Sequence, residues 1–593
     1  MPTKAQLSEQ QMRMAEELLF SGRRLPSFAK ALYFGLFDSE RVLPFPQPSE
    51  TERARGESLR RELVAFLDAN LDPDAIDRQK EIPQTVIDGL GALGIYGSTI
   101  PKEYGGGECS YDTFCRLVEE VARRCGSTAL FINVQHSIGL KAIQLFGTEE
   151  QKQRWLPSLA KGEKLAAFAL TEPNAGSDAA GVQTRAVYDP ERNVYIVNGE
   201  KQWITNGGIA DVLTLMAQTE IDTPEGKRDK ITAFLVTPDM PGFRVTDPAL
   251  EKVGMRGTKT AKLAFENMEV PAENILGPKG GGLRVALTVL DFGRTTFGAS
   301  CTGSSKELIE RAVRHAKNRF QFGRPIASFD MVRQKIATMS ALCYAIESAT
   351  YLTAGLLDRG EEDFMLETTM LKVIASEAQW RILYDTMQIF GGRCFFTDEP
   401  LERMMRDARL NMIGEGSNEV LRAFIGAVGL RDVGMQLKDV LDAAKSPFAG
   451  IGTLLGFGRN SINRVLRTPD VPLRTQQLTD EGARLASTIR RFGLTNQRLL
   501  VRYRETIVEN QLVLNRVATI AMALYTLTAV LSRLDSVLVS ANGNAASVQG
   551  DVALGKLYCR MAYDEIEQAF EGFRHNYDDD IRRISDKITG IGL

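Results

Sequence analysis

The sequence predicts a mainly α-helical protein interrupted by one small β domain. Amphipathic stretches such as Phe114-Cys115-Arg116-Leu117-Val118-Glu119-Glu120-Val121-Ala122 place apolar residues at helical spacing. Between the helical regions, Tyr195-Ile196-Val197 and the runs at 212–217 and 231–236 are short and β-rich, parted by Gly, Pro, Asn and Asp. No strand leads into a glycine fingerprint and then a helix, which argues against a doubly wound dinucleotide fold.

Taken in order, residues 1–166 read as an N-terminal helical domain, broken by the loop Pro101-Lys102-Glu103-Tyr104-Gly105-Gly106-Gly107. Residues 167–287 read as a middle antiparallel β domain, with turn signals continuing to Pro278-Lys279-Gly280-Gly281-Gly282. Helical periodicity returns over 288–435 as a second, helical-bundle domain, in which the helix at 306–318 closes on Arg319-Phe320-Gln321-Phe322-Gly323. A Gly- and Pro-rich stretch makes 436–479 a linker, and 480–593 reads as a C-terminal helical domain.

Composition removes several classes. A net charge of -3 gives no global attraction to nucleic acid. The three histidines, 136, 315 and 575, are far apart, which disfavours a zinc or iron site built on imidazoles. No GxSxG elbow supports serine hydrolysis. The seven cysteines lack CxxC spacing and no leader is evident, so buried thiols in a reducing compartment are expected: cytoplasm or mitochondrial matrix. Unbroken apolar runs fall short of the roughly 18–20 residues that cross a bilayer, so no transmembrane segment is expected.

Four clusters and one carboxylate carry chemistry. In Met412-Ile413-Gly414-Glu415-Gly416-Ser417-Asn418-Glu419 a carboxylate stands between glycines, where backbone can approach a ligand and a dry setting would tune a general base. A surface Glu at a helix entry is the plainer reading. The turn Phe168-Ala169-Leu170-Thr171-Glu172-Pro173-Asn174-Ala175-Gly176-Ser177-Asp178 offers hydroxyls and backbone donors to an uncharged heterocycle, or is a polar loop. Trp203-Ile204-Thr205-Asn206-Gly207 offers a stacking face beside a hydroxyl, or a core Trp. Arg319 with Phe322 suits a phosphate and a base, or a helix-end ion pair. Gln388-Ile389-Phe390-Gly391-Gly392 permits close backbone approach to a ligand or close helix packing.

In this order the tokens "LTEPNAGSD", "WITNG", "RFQFG", "QIFGG" and "GEGSNE" resemble the acyl-CoA dehydrogenase family over about residues 60–430. The extension beyond 435, with "QHSIGLKAIQLFGTEEQK" and "SPFAGIGTLLGFG", is similar to the very-long-chain branch. The resemblance implies FAD-dependent α,β-dehydrogenation of a long-chain acyl-CoA, with electrons passed to an electron-transfer flavoprotein. It implies Glu415 as the base. Leu170, Thr171, Ser177, Trp203 and Thr205 would serve the isoalloxazine, and Ser417 would also contact FAD. Arg319, Phe322, Gln388 and Gly392 would hold the pyrophosphate and adenosine across a homodimer interface. Ser177, Asp291 and Arg294 would meet the CoA portion, and Gly139 would be a small residue at the base of the acyl tunnel, or a packing glycine. Glycine at 414 departs from the aromatic residue that many members carry before the base. An oxidase using O2 and an assembly protein with a vestigial site are the alternatives. The segment 445–467 is basic and carries bulky apolar residues, the composition of a peripheral membrane contact or of a packed loop.

Overall fold

The computed structural model describes residues 27–224, 226–445, 468–542 and 544–590. Contacts divide the protein into two compact units. Of the described residues, one unit contains Gln47–Phe329 and Ala375–Gly416; the other contains 27–46, Asp330–Ile374 and Ser417 onward.

The first unit opens with helices whose ends are set locally. Glu50–Asn70 starts behind Ser49, whose side chain accepts the Glu52 N–H, and Glu50 and Glu52 complement its first turn. Tyr111–Arg124 starts behind Ser110 in the same way and ends with Arg123 and Arg124. The chain then runs through Gly126–Ile132 into a π-helical segment, Asn133–Leu140, before Lys141–Phe146. All eight residues of that segment are buried. Such widened turns are rare and are frequent at functional sites.

An eight-stranded sheet follows: β1 (Ala166–Ala169), β2 (Arg185–Asp189), β3 (Val194–Thr205), β4 (Val212–Thr223), β5 (Gly226–Val236), β6 (Phe243–Asp247), β7 (Thr260–Pro271) and β8 (Ile275–Leu276). The order is β6-β7-β3-β2-β4-β5-β8, with β1 beside β4. The sheet is mixed, not purely antiparallel as the sequence reading has it. β1 runs parallel to β4, and β2 meets β4 in parallel at Arg185 and Gln218. Both are pairings across intervening strands, which residue alternation cannot report.

Successive side chains serve opposite faces. Ala167, Ala169, Leu213, Leu215 and Phe234 join one apolar cluster. Ala166, Val212, Met216 and Leu235 join another, with Ile138 and Leu140 of the π segment and Val285 and Val289 of the long helix Gly282–Asn318. That helix carries Asp291 and Arg294. It ends on a two-stranded hairpin, Phe320–Gln321 with Arg324–Pro325.

The second unit is helical, with Asp330–Asp358, Asn418–Lys445, Thr479–Tyr503, Gln511–Ser540 and Gln549–Glu571 as long members. The short helix Phe28–Tyr33 is buried at every residue. The Tyr33 hydroxyl donates to the Ile425 carbonyl at 2.8 Å. Asn418–Lys445 continues past 435, where the sequence reading places a linker, because residues 436–445 contain neither Gly nor Pro to stop it. Among the described residues Gln511–Ser540 is long and apolar enough to cross a membrane, and 89% of its most apolar window is buried inside the fold. Scattered polar residues had hidden that length from a search for unbroken apolar runs. The basic, apolar segment at 445–467 lies outside the described residues except for the backbone of Lys445.

Candidate active site

The helix Leu401–Leu410 closes on a tight turn in which Gly414 N–H donates to the Leu410 carbonyl at 2.8 Å. Glu415 follows at φ +57, a left-handed conformation that a non-glycine residue holds only when its surroundings impose it. Asn133 of the π segment donates from Nδ2 to Glu415 Oε1 at 2.8 Å. Arg294 reaches the Glu415 carbonyl from Nε at 3.4 Å, and Nη1 of the same guanidinium bonds Asp291 at 3.1 Å. A Cβ at Gly293 would stand 3.0 Å from Glu415 Oε2, so only glycine there leaves the carboxylate its place. At Gly414 a Cβ would make ordinary contact with Leu410 at 3.6 Å, so the missing side chain is not required by crowding.

Asp291 and Arg294 are both buried and hold each other and the Glu415 turn. Their expected contact with CoA is carried by the family resemblance alone. Beside Asn133 opens a small cleft, partly open to solvent, lined among others by Leu130, Met255, Phe297, Arg403, Met404 and Asp407. Gly139 faces β1 instead: a Cβ there would stand 2.6 Å from the Ala166 Cβ. That contact favours the packing role for Gly139.

A second cluster forms where β1 leaves the sheet. Lys201 Nζ donates to the Leu170 carbonyl at 2.9 Å, and Gln202 N–H donates to the Thr171 carbonyl at 2.9 Å, bringing the first two sequence clusters together. Glu172 braces the turn: it accepts Lys201 Nζ at 2.7 Å and the N–H groups of Gln183 and Thr184 at 2.6 and 3.0 Å. Burial alone pushes the Glu172 carboxyl up, but Lys201 and these hydrogen bonds outweigh it and leave the group below its ordinary value. Lys201 itself is brought down to about 8 by burial, opposed by Glu172. The register of β3 against β7 shifts between Lys201 and Ile204. Trp203 sits in that bulge at φ +61, and its side chain is 60% exposed. Thr171 and Thr205 are half-buried, and Ser177 is exposed.

Arg319 and Phe322 lie on the exposed hairpin, with Phe322 92% exposed. His315, one turn before Arg319, stacks on Phe390 at 4.2 Å, which brings the Gln388 and Gly392 segment beside it. Gln388, Gly392, Arg393, Phe395 and Phe396 are exposed as well. Ser417 is half-buried and accepts the Leu421 N–H through its carbonyl.

The sequence reading missed Asn133, the Glu172–Lys201 pair and Asp407. Asp407 accepts the Met255 N–H at 2.6 Å, and burial pushes its carboxyl up to about 6. The run Asn133-Val134-Gln135-His136-Ser137, polar within an apolar helix, was the available signal.

The second cluster suits a planar, polar cofactor. Trp203 presents an open stacking face, and the buried side chain of Asn206, three residues on, has no hydrogen-bond partner among the described residues. With a carboxylate on a constrained turn near a cleft of mixed polarity, this arrangement suits a flavin-type oxidoreductase with Glu415 as the candidate base.

Comparison with known proteins gives the family. "Acyl-CoA dehydrogenase, N-terminal domain" matches residues 54–163, "middle domain" 167–268 and "C-terminal domain" 280–430, while "ACAD9/ACADV, C-terminal domain" matches 476–591. The chain is 36% identical to the bovine mitochondrial very long-chain specific acyl-CoA dehydrogenase, over 86% of this chain and 78% of that protein. It is 32% identical to the probable acyl-CoA dehydrogenase FadE10 of Mycobacterium tuberculosis, over 100% and 93%. An acyl-CoA dehydrogenase from Bacillus anthracis, solved in complex with FAD, superposes with a TM-score of 0.78 at 28% identity, covering 91% of this chain and 90% of that one. The protein belongs to the acyl-CoA dehydrogenase family, whose members carry out FAD-dependent dehydrogenation of acyl-CoA.

Proposed function

We propose that the protein oxidises long- and very-long-chain acyl-CoA to the trans-2-enoyl-CoA and passes the electrons to an electron-transfer flavoprotein. The observation that carries the reading is Glu415, held left-handed on a glycine-flanked turn with its carboxylate fixed by Asn133 at the cleft. Glu415 takes the α proton of the thioester; FAD, when bound, supplies the acceptor for the β hydride. Leu170, Thr171, Ser177, Trp203 and Thr205 would hold the ring side, and Ser417 would contact the same cofactor. Arg319, Phe322, Gln388 and Gly392 would hold the pyrophosphate and adenosine of a partner subunit in a homodimer. Their exposure on one aromatic and basic surface supports that role. Ser177, Asp291 and Arg294 would serve the CoA portion. The apolar side of the cleft excludes water from the tail of the substrate, which strengthens every polar contact at the reacting carbons.

Long chains are favoured by the likeness to the very-long-chain relative and by the domain shared with that branch. The test pairs two measurements on the flavin-loaded protein. Glu415→Gln should retain FAD and lose anaerobic bleaching by palmitoyl-CoA by at least about 10²- to 10⁴-fold. Near-normal bleaching would place the base elsewhere. Wild-type turnover should peak at acyl chains of about C14–C20. A peak at C4–C8 would overturn the chain-length assignment, and fast reoxidation by air with peroxide formation would make the enzyme an oxidase.

A further inference from the structure

Between the site and the core runs an unbroken line of polar contacts. Lys141 Nζ donates to Thr99 Oγ1 at 3.0 Å, and Thr99 Oγ1 lies 3.0 Å from His136 Nε2. His136 Nδ1 lies 3.3 Å from Ser137 Oγ, which lies 3.2 Å from Thr296 Oγ1. Thr296 donates to Asn133 Oδ1, and Asn133 Nδ2 donates to Glu415 Oε1 at 2.8 Å. His136, Ser137, Thr296 and Asn133 are all buried, at 0–2% exposure.

The proton order that satisfies every contact of this line runs one way. Lys141 can only donate to Thr99, so the Thr99 hydroxyl hydrogen is free for His136 Nε2. A neutral imidazole that accepts at Nε2 carries its proton on Nδ1 and donates to Ser137. Ser137 then donates to Thr296, and Thr296 to the Asn133 carbonyl. The Gly293 carbonyl, 2.9 Å from Thr296 Oγ1, competes for that last proton. With Asn133 Oδ1 thus occupied, its NH2 is what faces Glu415.

We propose that Asn133 is a positioning residue for Glu415, and that the line from Lys141 through His136, Ser137 and Thr296 locks its amide with the donor toward the carboxylate. The inference rests on Glu415 being the base. His136 is kept neutral by burial, reinforced by the charge of Lys141, as the one-way order requires. Burial brings Lys141 down to about 7, so the order belongs to the protonated amine, which has no lone pair with which to accept. Lys141 also stands over the Tyr111 and Phe292 rings at 5.0 and 5.3 Å and donates to Gln144 at 2.6 Å. Among the described contacts, Arg294 and its partner Asp291 are charges beside Glu415, and Asp407 and Arg403 line the cleft that Asn133 shares. A donor fixed on the carboxylate stabilises its ionised form and its orientation, which keeps a base competent at lower pH.

The test is the pH profile of anaerobic flavin bleaching by palmitoyl-CoA on the flavin-loaded dimer or monomer as isolated. Asn133→Leu should move the rising limb upward by about one pH unit or more, since it removes a hydrogen bond to a charged group. Thr296→Val, nearly isosteric and distant from the carboxylate, should move it in the same direction by less, and Thr296→Ser should restore the wild-type limb. The melting temperature of each variant separates these shifts from loss of fold. An unchanged limb in Asn133→Leu, or equal shifts in Thr296→Val and Thr296→Ser, overturns the proposal. Should Asn133→Leu fail to fold, the two Thr296 variants decide by the same criteria. Failure of the underlying reading looks different, because Glu415→Gln would then bleach normally.

Discussion

Lys201→Met isolates the pair that braces the turn beneath the cofactor cluster. Lys201 is fully buried, Glu172 is 5% exposed, and their charged atoms are 2.7 Å apart. Methionine keeps most of the aliphatic stem, so packing is little changed, but Glu172 loses its lysine partner and keeps the hydrogen bonds from Gln183 and Thr184. Breaking a buried pair from one side strands the other charge and costs about 3–5 kcal/mol. In a unit of this size that lowers its melting temperature by on the order of 5–10 °C. The pH dependence supplies a signature of sign. In the wild type, Glu172 is held below its ordinary value, so its contribution is present above the unfolded carboxyl value and is lost as pH falls through the folded one. Without Lys201, burial raises the group instead, and the stability of the variant is lost as pH rises through its folded value. The deficit should therefore be small near about pH 4 and grow toward neutral pH, below the value near 8 at which Lys201 itself loses its charge. Differential scanning calorimetry across that range reads it, and the double variant Glu172→Gln, Lys201→Met should recover most of the loss. A deficit under about 1 kcal/mol at neutral pH, or one that grows toward acid, refutes the reasoning.

Glu367 offers a test in the second unit. It accepts the Ala29 N–H at 2.8 Å, and burial, with Asp363 adding, pushes it up to about 7. Its folded value lies above its unfolded one, so its contribution is complete below the unfolded carboxyl value and is lost as pH rises through about 7. Glu367→Gln should raise the melting temperature near about pH 8 and leave it unchanged near about pH 4; an equal change at both would remove the titration from the account. If the exposed Arg319, Phe322 and Gln388 surface completes the cofactor site of a second copy, light scattering at micromolar concentration gives the mass of a dimer, and a tetramer would contradict it. Liposomes of anionic lipid should co-sediment the full chain more strongly than a form lacking 445–467; equal, weak sedimentation of both removes the membrane assignment.

Glu415 was legible because its signal is local: two glycines flanking one carboxylate announce a special turn, and the turn proved to be left-handed at that residue. Trp203 was legible as a stacking candidate for a similar reason, although the bulge that exposes it was not. Asn133 was hidden because its meaning depends on Glu415, 282 residues away. Glu172 stood inside a quoted motif, yet nothing in that motif announces Lys201, 29 residues on. The parallel approach of β1 to β4 was invisible for the same reason: alternation along a strand records which face is buried, not which neighbour lies alongside. The long helix Asn418–Lys445 was cut short in the sequence reading by the Gly- and Pro-rich composition that begins only after it.

The short helix Phe28–Tyr33 and the residues just after it are finished against the far end of the chain. Ser532 donates to the Val42 carbonyl across 490 residues, and the Phe45 N–H donates to Ser536 Oγ. On a ribosome working at about 5–20 residues per second, that strip waits roughly 25–100 s for its partners to be made. Until Phe492 and Tyr525 are made, Tyr33 and Phe28, at 0–1% exposure in the finished protein, lack the aromatic rings that help to cover them. This strip is therefore a place where newly made chains are exposed to capture by one another. A chaperone that holds residues 28–45 until the Gln511–Ser540 helix has emerged would do more for yield than one that acts on the completed protein.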